Sequence, residues 1–187
     1  MKLLAYEVDK RPFLGVFNEN ETWAYPISAA GMEYRSMKDL IREAGPSEME
    51  MLDYISKKAP GDVNGAAPVE EIRIVSPIPE PDQDIICLGI NYMDHAAESA
   101  RFQKEEFARP EKAIYFSKRV NRTNDPDGII PAHKNLTNQL DYEAELAVII
   151  KKDAKDVKPE EVKDYIFGYT IMNDVSAREV QTEHKQW

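Results

Sequence analysis

The chain has 187 residues, enough for one sizeable core or for a main domain with a small appendage. Lys plus Arg number 24 against 34 Asp plus Glu, and the resulting formal net charge of −10 argues against nucleic acid or an anionic membrane as partner. The single cysteine, Cys87, excludes an intrachain disulfide; inside the apolar run Ile85-Ile86-Cys87-Leu88 it reads as a small buried hydrophobe in a reducing cytoplasm. No apolar run approaches the length that spans a bilayer, and the amino terminus alternates with charge, so the expectation is a soluble cytoplasmic protein.

In chain order, short strands are predicted at Leu3 to Val8, Phe13 to Phe17 and Thr22 to Ile27, with a turn at Asn18-Glu-Asn20. Two helices follow. Ser36-Met-Lys-Asp39 opens the first, which carries Met37, Leu40, Ile41 and Ala44 up to Gly45-Pro46. Ser47-Glu-Met-Glu50 has the pattern of a capping box opening the second, with Met49, Leu52 and Ile55 on one side. Residues 1–75 therefore read as a small β-rich lobe with two short helices, and the Pro- and Gly-rich stretch from Pro60 to Asp84 as the crossing into a main domain over 76–187.

Beyond the crossing, Ile85 to Leu88 reads as a buried strand, then a Gly89 turn and a short helix around Tyr92 to Ala100. Further strands are predicted at Ala113 to Phe116, Glu143 to Ile150 and Tyr165 to Met172, with a short helix at Pro159–Asp164. Ser176-Ala-Arg-Glu179 is another capping-box pattern. The register that follows, Val180, Glu183, His184 and Trp187, meets no Gly, Asn or Pro to stop it, which predicts a fold whose carboxyl-terminal part is missing.

The chemistry concentrates in Asp141-Tyr-Glu-Ala-Glu-Leu-Ala-Val-Ile-Ile150. Side chains alternate across a strand, so Glu143 and Glu145 share one face, with Cα atoms about 7 Å apart. Tyr142, Ala144, Leu146, Val148 and Ile150 share the other, read here as the buried one. Two acids on one face repel, and a hard divalent cation such as Mg²⁺ removes that penalty. A third acid, Asp174, stands where a β-run turns toward a helix, a junction that exposes a side chain yet holds it rigidly. An isolated Glu-x-Glu is also the ordinary pattern of a solvated strand face.

A second constellation is Asn91-Tyr-Met-Asp-His95-Ala-Ala-Glu98, in which His95 and Glu98 lie three apart on one helical face. A carboxylate there fixes the imidazole tautomer and raises its basicity, the construction of a general base for water; a surface pair has the same spacing. Lys118, Arg119 and Arg122 form a cationic stretch that can hold a substrate carboxylate or serve as a positive loop on an acidic protein. His133 and His184 read as structural or solvated. No phosphate-cradling loop, serine elbow or zinc spacing occurs.

Together, Gly89-Ile-Asn-Tyr-Met-Asp-His95-Ala-Ala-Glu98, Phe116-Ser-Lys118, Asp141-Tyr-Glu143-Ala-Glu145-Leu-Ala and Asn173-Asp174-Val-Ser-Ala-Arg178 resemble the fumarylacetoacetate hydrolase family from about Ile85 to Trp187. The resemblance implies a mainly β (α+β) fold, a mixed β-roll around a central metal site with a small β-rich amino-terminal lobe, commonly a homodimer. It implies Glu143, Glu145 and Asp174 as ligands of one Mg²⁺ or Mn²⁺, His95 and Glu98 as the water-activating dyad, and Lys118 and Gln181 as substrate-facing residues. Leu88 stands where fumarylacetoacetate hydrolase itself has an extra metal-ligating Asp, so the three-carboxylate branch acting on acylpyruvates is the better match. A Gly-Lys pair that family members reach soon after this Gln-Trp is absent.

The implied activity is metal-dependent hydrolysis of a carbon–carbon bond in a 1,3-dioxo acid of acylpyruvate or fumarylpyruvate type, with a stabilised enolate as the leaving group. The alternative is isomerisation or decarboxylation of an unsaturated 2-oxo diacid, of 2-hydroxyhepta-2,4-diene-1,7-dioate or oxaloacetate type. A non-catalytic metal-binding module is a further alternative. In either catalytic case the substrate is a small anionic keto acid.

Overall fold

The computed structural model describes residues 1–92 and 112–185. The amino-terminal part holds a five-stranded sheet in the order β4-β3-β2-β1-β5. Its strands are β1 (Leu3–Val8), β2 (Arg11–Phe17), β3 (Trp23–Pro26), β4 (Ala67–Pro68) and β5 (Arg73–Val75), all antiparallel to their neighbours. Gly15, in the central strand β2, is required by close approach: a Cβ there would lie 2.6 Å from the Tyr25 carbonyl oxygen on β3 and 2.8 Å from the Tyr6 ring on β1.

Helices α1 (Met37–Glu43) and α2 (Pro46–Ser56) cover this sheet. Ser36 caps α1 as predicted, its Oγ accepting from the Asp39 N–H at 3.2 Å. The start of α2 differs from the expectation: the helix opens at Pro46, and it is Glu48, not Glu50, whose carboxylate reaches back to the Gly45 N–H at 2.9 Å. Proline at the first turn has its φ preset for the helix and lacks only an N–H that would go unused, so it takes precedence over the Ser47 pattern one residue later. Val16, Tyr25, Leu40 and Leu52 are fully buried between sheet and helices.

The remaining strands form two-stranded pairs: β6 (Ile85–Gly89) with β7 (Ile114–Lys118), β8 (Leu140–Asp141) with β11 (Ser176–Ala177), and β9 (Ala144–Ile150) with β10 (Ile166–Asn173). The pairs are antiparallel. A 3₁₀ helix, Pro159–Asp164, joins β9 to β10, and α3 (Arg178–His184) follows β11. The Ser176 capping box does not form; Ser176 is in β11, and the cap residue Ala177 makes no side-chain bond.

Two compact units can be distinguished: residues 1–79 with 124–131 and 142–175, and residues 80–123 with 132–141 and 176–187. In the first, the β9–β10 hairpin docks on the amino-terminal core through Ile149 and Phe167. This reverses an expectation. The alternation of β9 holds, but the face of Leu146, Val148 and Ile150 is exposed, whereas Glu145, Ala147 and Ile149 are half-buried. One contact, Ile149 against the core, settles which face turns inward, and periodicity alone carries no such information. β6 departs from its buried-strand expectation in the same way, with Ile86 67% exposed and Cys87 only partly covered.

Candidate metal centre

Glu143, Glu145 and Asp174 lie at the end of the β9–β10 pair, where the two strands run side by side. In the β9–β10 ladder Glu145 faces Met172 and Ala144 faces Asn173. One step further the Asp174 N–H donates to the Glu143 carbonyl at 2.9 Å, so Glu143 and Asp174 continue the pairing. Directly opposed residues of an antiparallel pair project to the same side, as do residues two apart on one strand. All three acids therefore stand on one face, with Glu143 at the corner of the group. The Asn173 side chain reinforces the corner by accepting from the Glu143 N–H at 3.2 Å.

Asp174 is 5% exposed and is the one carboxylate in the buried class among the described residues. A buried carboxylate is costly unless a charge or hydrogen bonds compensate it. The donor set, three carboxylates on a rigid ladder, fits a hard divalent cation by chemistry. The oxygens have not converged: among the described residues no three His, Cys, Asp or Glu side chains form a ready metal-holding group. Both glutamates are only half-buried and have three rotatable side-chain bonds, so their carboxylate positions are not fixed by the backbone.

His95 and Glu98 lie outside the described residues. Lys118 ends β7 opposite Ile85, on the half-buried side that also carries Ile114 and Phe116. Gln181 sits in the middle of α3, where its Oε1 accepts from Arg178 Nη1 at 3.1 Å. His133 and His184 are exposed, as expected.

The second unit also holds a network that the sequence reading did not single out. Arg178 donates from Nε and Nη2 to Asp141 Oδ2 at 2.9 and 2.8 Å. Its neighbour Glu179 accepts from the Thr137 hydroxyl at 2.6 Å and from the Asn138 N–H at 2.8 Å. The Thr137 hydroxyl, and then the Asn138 N–H, hold the Glu179 carboxyl below its usual value. Arg178 and Asp141 both stood in the quoted motifs, but a pairing across 37 residues leaves no periodic trace.

The fold defines a mainly β protein, and Glu143, Glu145 and Asp174 stand on one face of its β9–β10 pair. The family model described as fumarylacetoacetate (FAA) hydrolase C-terminal matches residues 84–187, more than half of the chain. The chain belongs to the fumarylacetoacetate hydrolase family. It is similar to the oxaloacetate tautomerase YisK of Bacillus subtilis (strain 168), at 40% identity over 132 residues, covering 70% of this chain and 42% of the relative. A fumarylacetoacetate hydrolase from the psychrophile Exiguobacterium antarcticum superposes with a TM-score of 0.69 at 30% identity, over 100% of this chain and 60% of that one. The maleylpyruvate hydrolase of Sphingobium sp. SYK-6, solved with manganese (II) ion and pyruvate, shares the fold at 23% identity and a TM-score of 0.60, over 95% of this chain and 60% of that one. The chain thus spans between two fifths and three fifths of the length of these relatives.

Proposed function

We propose that this chain carries the metal-binding part of an enzyme that acts on a small anionic 2-oxo acid through its enolate. The observation that carries the reading is the acidic corner: Glu143, Glu145 and Asp174 on one face of a two-stranded ladder, with Asp174 buried. A Mg²⁺ or Mn²⁺ ion held there supplies Lewis acidity toward the oxygens of a 2-oxo carboxylate. Glu143, Glu145 and Asp174 would hold the ion, the backbones of Glu143 and Asp174 being linked by a hydrogen bond. The family resemblance adds Lys118 and Gln181 as candidates for facing the substrate, a cation and an amide suited to a carboxylate.

In the hydrolytic reading, supported by the family resemblance, His95 takes a proton from water while Glu98 holds the imidazole tautomer. The resulting hydroxide adds to the distal carbonyl of a 1,3-dioxo acid. The carbon–carbon bond then breaks, its electron pair leaves on the pyruvate-like fragment as an enolate, and a proton completes the product. A second reading is favoured by the 40% identical relative, which is named an oxaloacetate tautomerase: a proton moves between carbon and the enol oxygen, and no water attacks. The assembly that goes with either reading is a cytoplasmic homodimer.

The deciding experiment runs an acylpyruvate and enolic oxaloacetate in parallel, with and without chelator. Glu143→Gln is expected to lose calorimetric Mg²⁺ binding and chelator-sensitive turnover together, while His95→Ala keeps the binding. Full activity in both variants overturns the assignment, and turnover of oxaloacetate enol alone selects the tautomerase reading.

A further inference from the structure

The five-stranded sheet of the first compact unit has two edges of different kinds. β4 is two residues long and ends in Pro68, which has no N–H to offer an incoming strand. β5, at the other end, lies in the β-prone run Ile72-Arg-Ile-Val75 and pairs with β1 on one side. Its outer side can be assigned. The Ser76 N–H donates to Asp125 Oδ1 at 3.0 Å, on the side away from β1. Peptide groups alternate between the two sides of a strand, so Ile74, two residues earlier, also turns its N–H and C=O outward.

Asn124–Pro131 belongs to the same unit and stands over that edge. A hollow of about 450 Å³ is walled on one side by Ile72, Arg73 and Ile74 and on the other by Pro126, Asp127 and Gly128. Side chains alternate, so three consecutive residues of an extended run line one hollow only where it opens on the strand's edge. The loop holds its own shape: the Gly128 N–H donates to the Asp125 carbonyl at 3.0 Å, and Asn124 Nδ2 to the Ile129 carbonyl at 3.1 Å. Its apolar residues anchor it little, since Ile129 is 89% exposed and Ile130 49%. It is fastened through Asp125, whose Oδ2 accepts from Arg73 Nη2 at 2.6 Å while Arg73 Nη1 donates to Glu7 of β1 at 2.8 Å.

We propose that the loop 124–131 guards the outer edge of β5, clasped by Asp125 to Arg73 and Ser76, and that opening the clasp frees this edge to pair with β5 of a second copy of the chain. A second copy fits because the edge is self-complementary. In an antiparallel pair about a two-fold axis, the N–H and C=O of Ile74 meet the C=O and N–H of the same residue in the other copy. An added strand lies about 4.8 Å from its neighbour. That places it between β5 and the turn at Pro126–Gly128, so the incoming strand and the closed guard compete for one space.

Light scattering over a concentration series, with amide hydrogen exchange read at Ile74 by NMR, tests this on the full chain. The parent is expected to keep one mass, its Ile74 amide exchanging at least about tenfold faster than those of Arg73 and Val75, which face β1. Asp125→Ala is expected to reach twice the parent mass as concentration rises, and to slow Ile74 exchange at least about tenfold in the heavier species. Arg73→Gln, which leaves the Ser76 bond in place, should do the same at higher concentration, and it carries the test if Asp125→Ala loses the parent's circular dichroism. Adding Ile74→Pro removes the outward donor without removing a bond to β1, and should restore the parent mass. Folded clasp variants that keep the parent mass overturn the proposal. So does a heavier species in which Ile74 exchanges as fast as in the parent, since that association uses another surface, and so does an association that Ile74→Pro leaves intact.

Discussion

Glu179 illustrates how much one carboxylate depends on its donors. With a hydroxyl at 2.6 Å and an N–H at 2.8 Å, its oxygens serve to fasten the strap Thr137–Asn138 and are poorly suited to moving protons. Its carboxyl sits below the usual 4.5. The sign follows from linkage: a group with a depressed folded value contributes stability that is fully present above 4.5 and is lost as the pH falls through the folded value. Thr137→Val is nearly isosteric at a buried position and removes the leading cause of that depression. The variant is therefore expected to be less stable than the parent at pH 7, with the gap shrinking as the pH falls below 4.5. Urea midpoints measured across pH 3 to 7 check this, and a gap independent of pH would falsify the linkage.

Among elements, the contrast between α1–α2 and the β9–β10 hairpin separates what holds the molecule together from what is left uncovered. Leu52 of α2 is fully buried against the sheet, and truncating such a leucine costs about 2–5 kcal/mol. Ile171 of β10, just as apolar, is 81% exposed, and its neighbours across the ladder, Leu146 and Val148, share that exposed side. Replacing Ile171 by Thr keeps the β-branch and is expected to change stability by less than about 0.5 kcal/mol, with improved solubility. Denaturant midpoints of Leu52→Ala and Ile171→Thr test the pair; equal losses would mean that the face of Leu146, Val148 and Ile171 is covered in solution. The hairpin's inward face is anchored at one end by Ile149 and carries Glu145 toward the other, so the strand that docks the hairpin also aims the acids.

For the whole molecule, every hydrophobic side chain in the buried class among the described residues lies between Leu4 and Val63. The later strands come as two-stranded pairs, and an isolated pair of that kind is marginal in water. Hydrogen exchange is therefore expected to be slowest in β1, β2 and β3 and much faster in β6 and β7, the ranking that local burial dictates. Equal protection of the two regions, read by mass spectrometry on peptides, would contradict that distribution of stability. Among the described residues no helix is long and apolar enough to cross a membrane.

The amino-acid sequence by itself determined what repeats at short range or sits in a contiguous motif. The strand positions of β1, β9 and β10, the Ser36 cap, the shared face of Glu143 and Glu145, and the family motifs were all legible, because alternation and capping are decided within a few residues. Tertiary structure alone decided which side of β9 turns inward, how deeply Asp174 is buried, that Pro46 displaces the Ser47 cap, and that Asp141, Arg178 and Gln181 form one chain of contacts. The physical reason is range: a period of two says that two faces differ, but only a distant partner, such as the core that Ile149 reaches, assigns one of them to the interior.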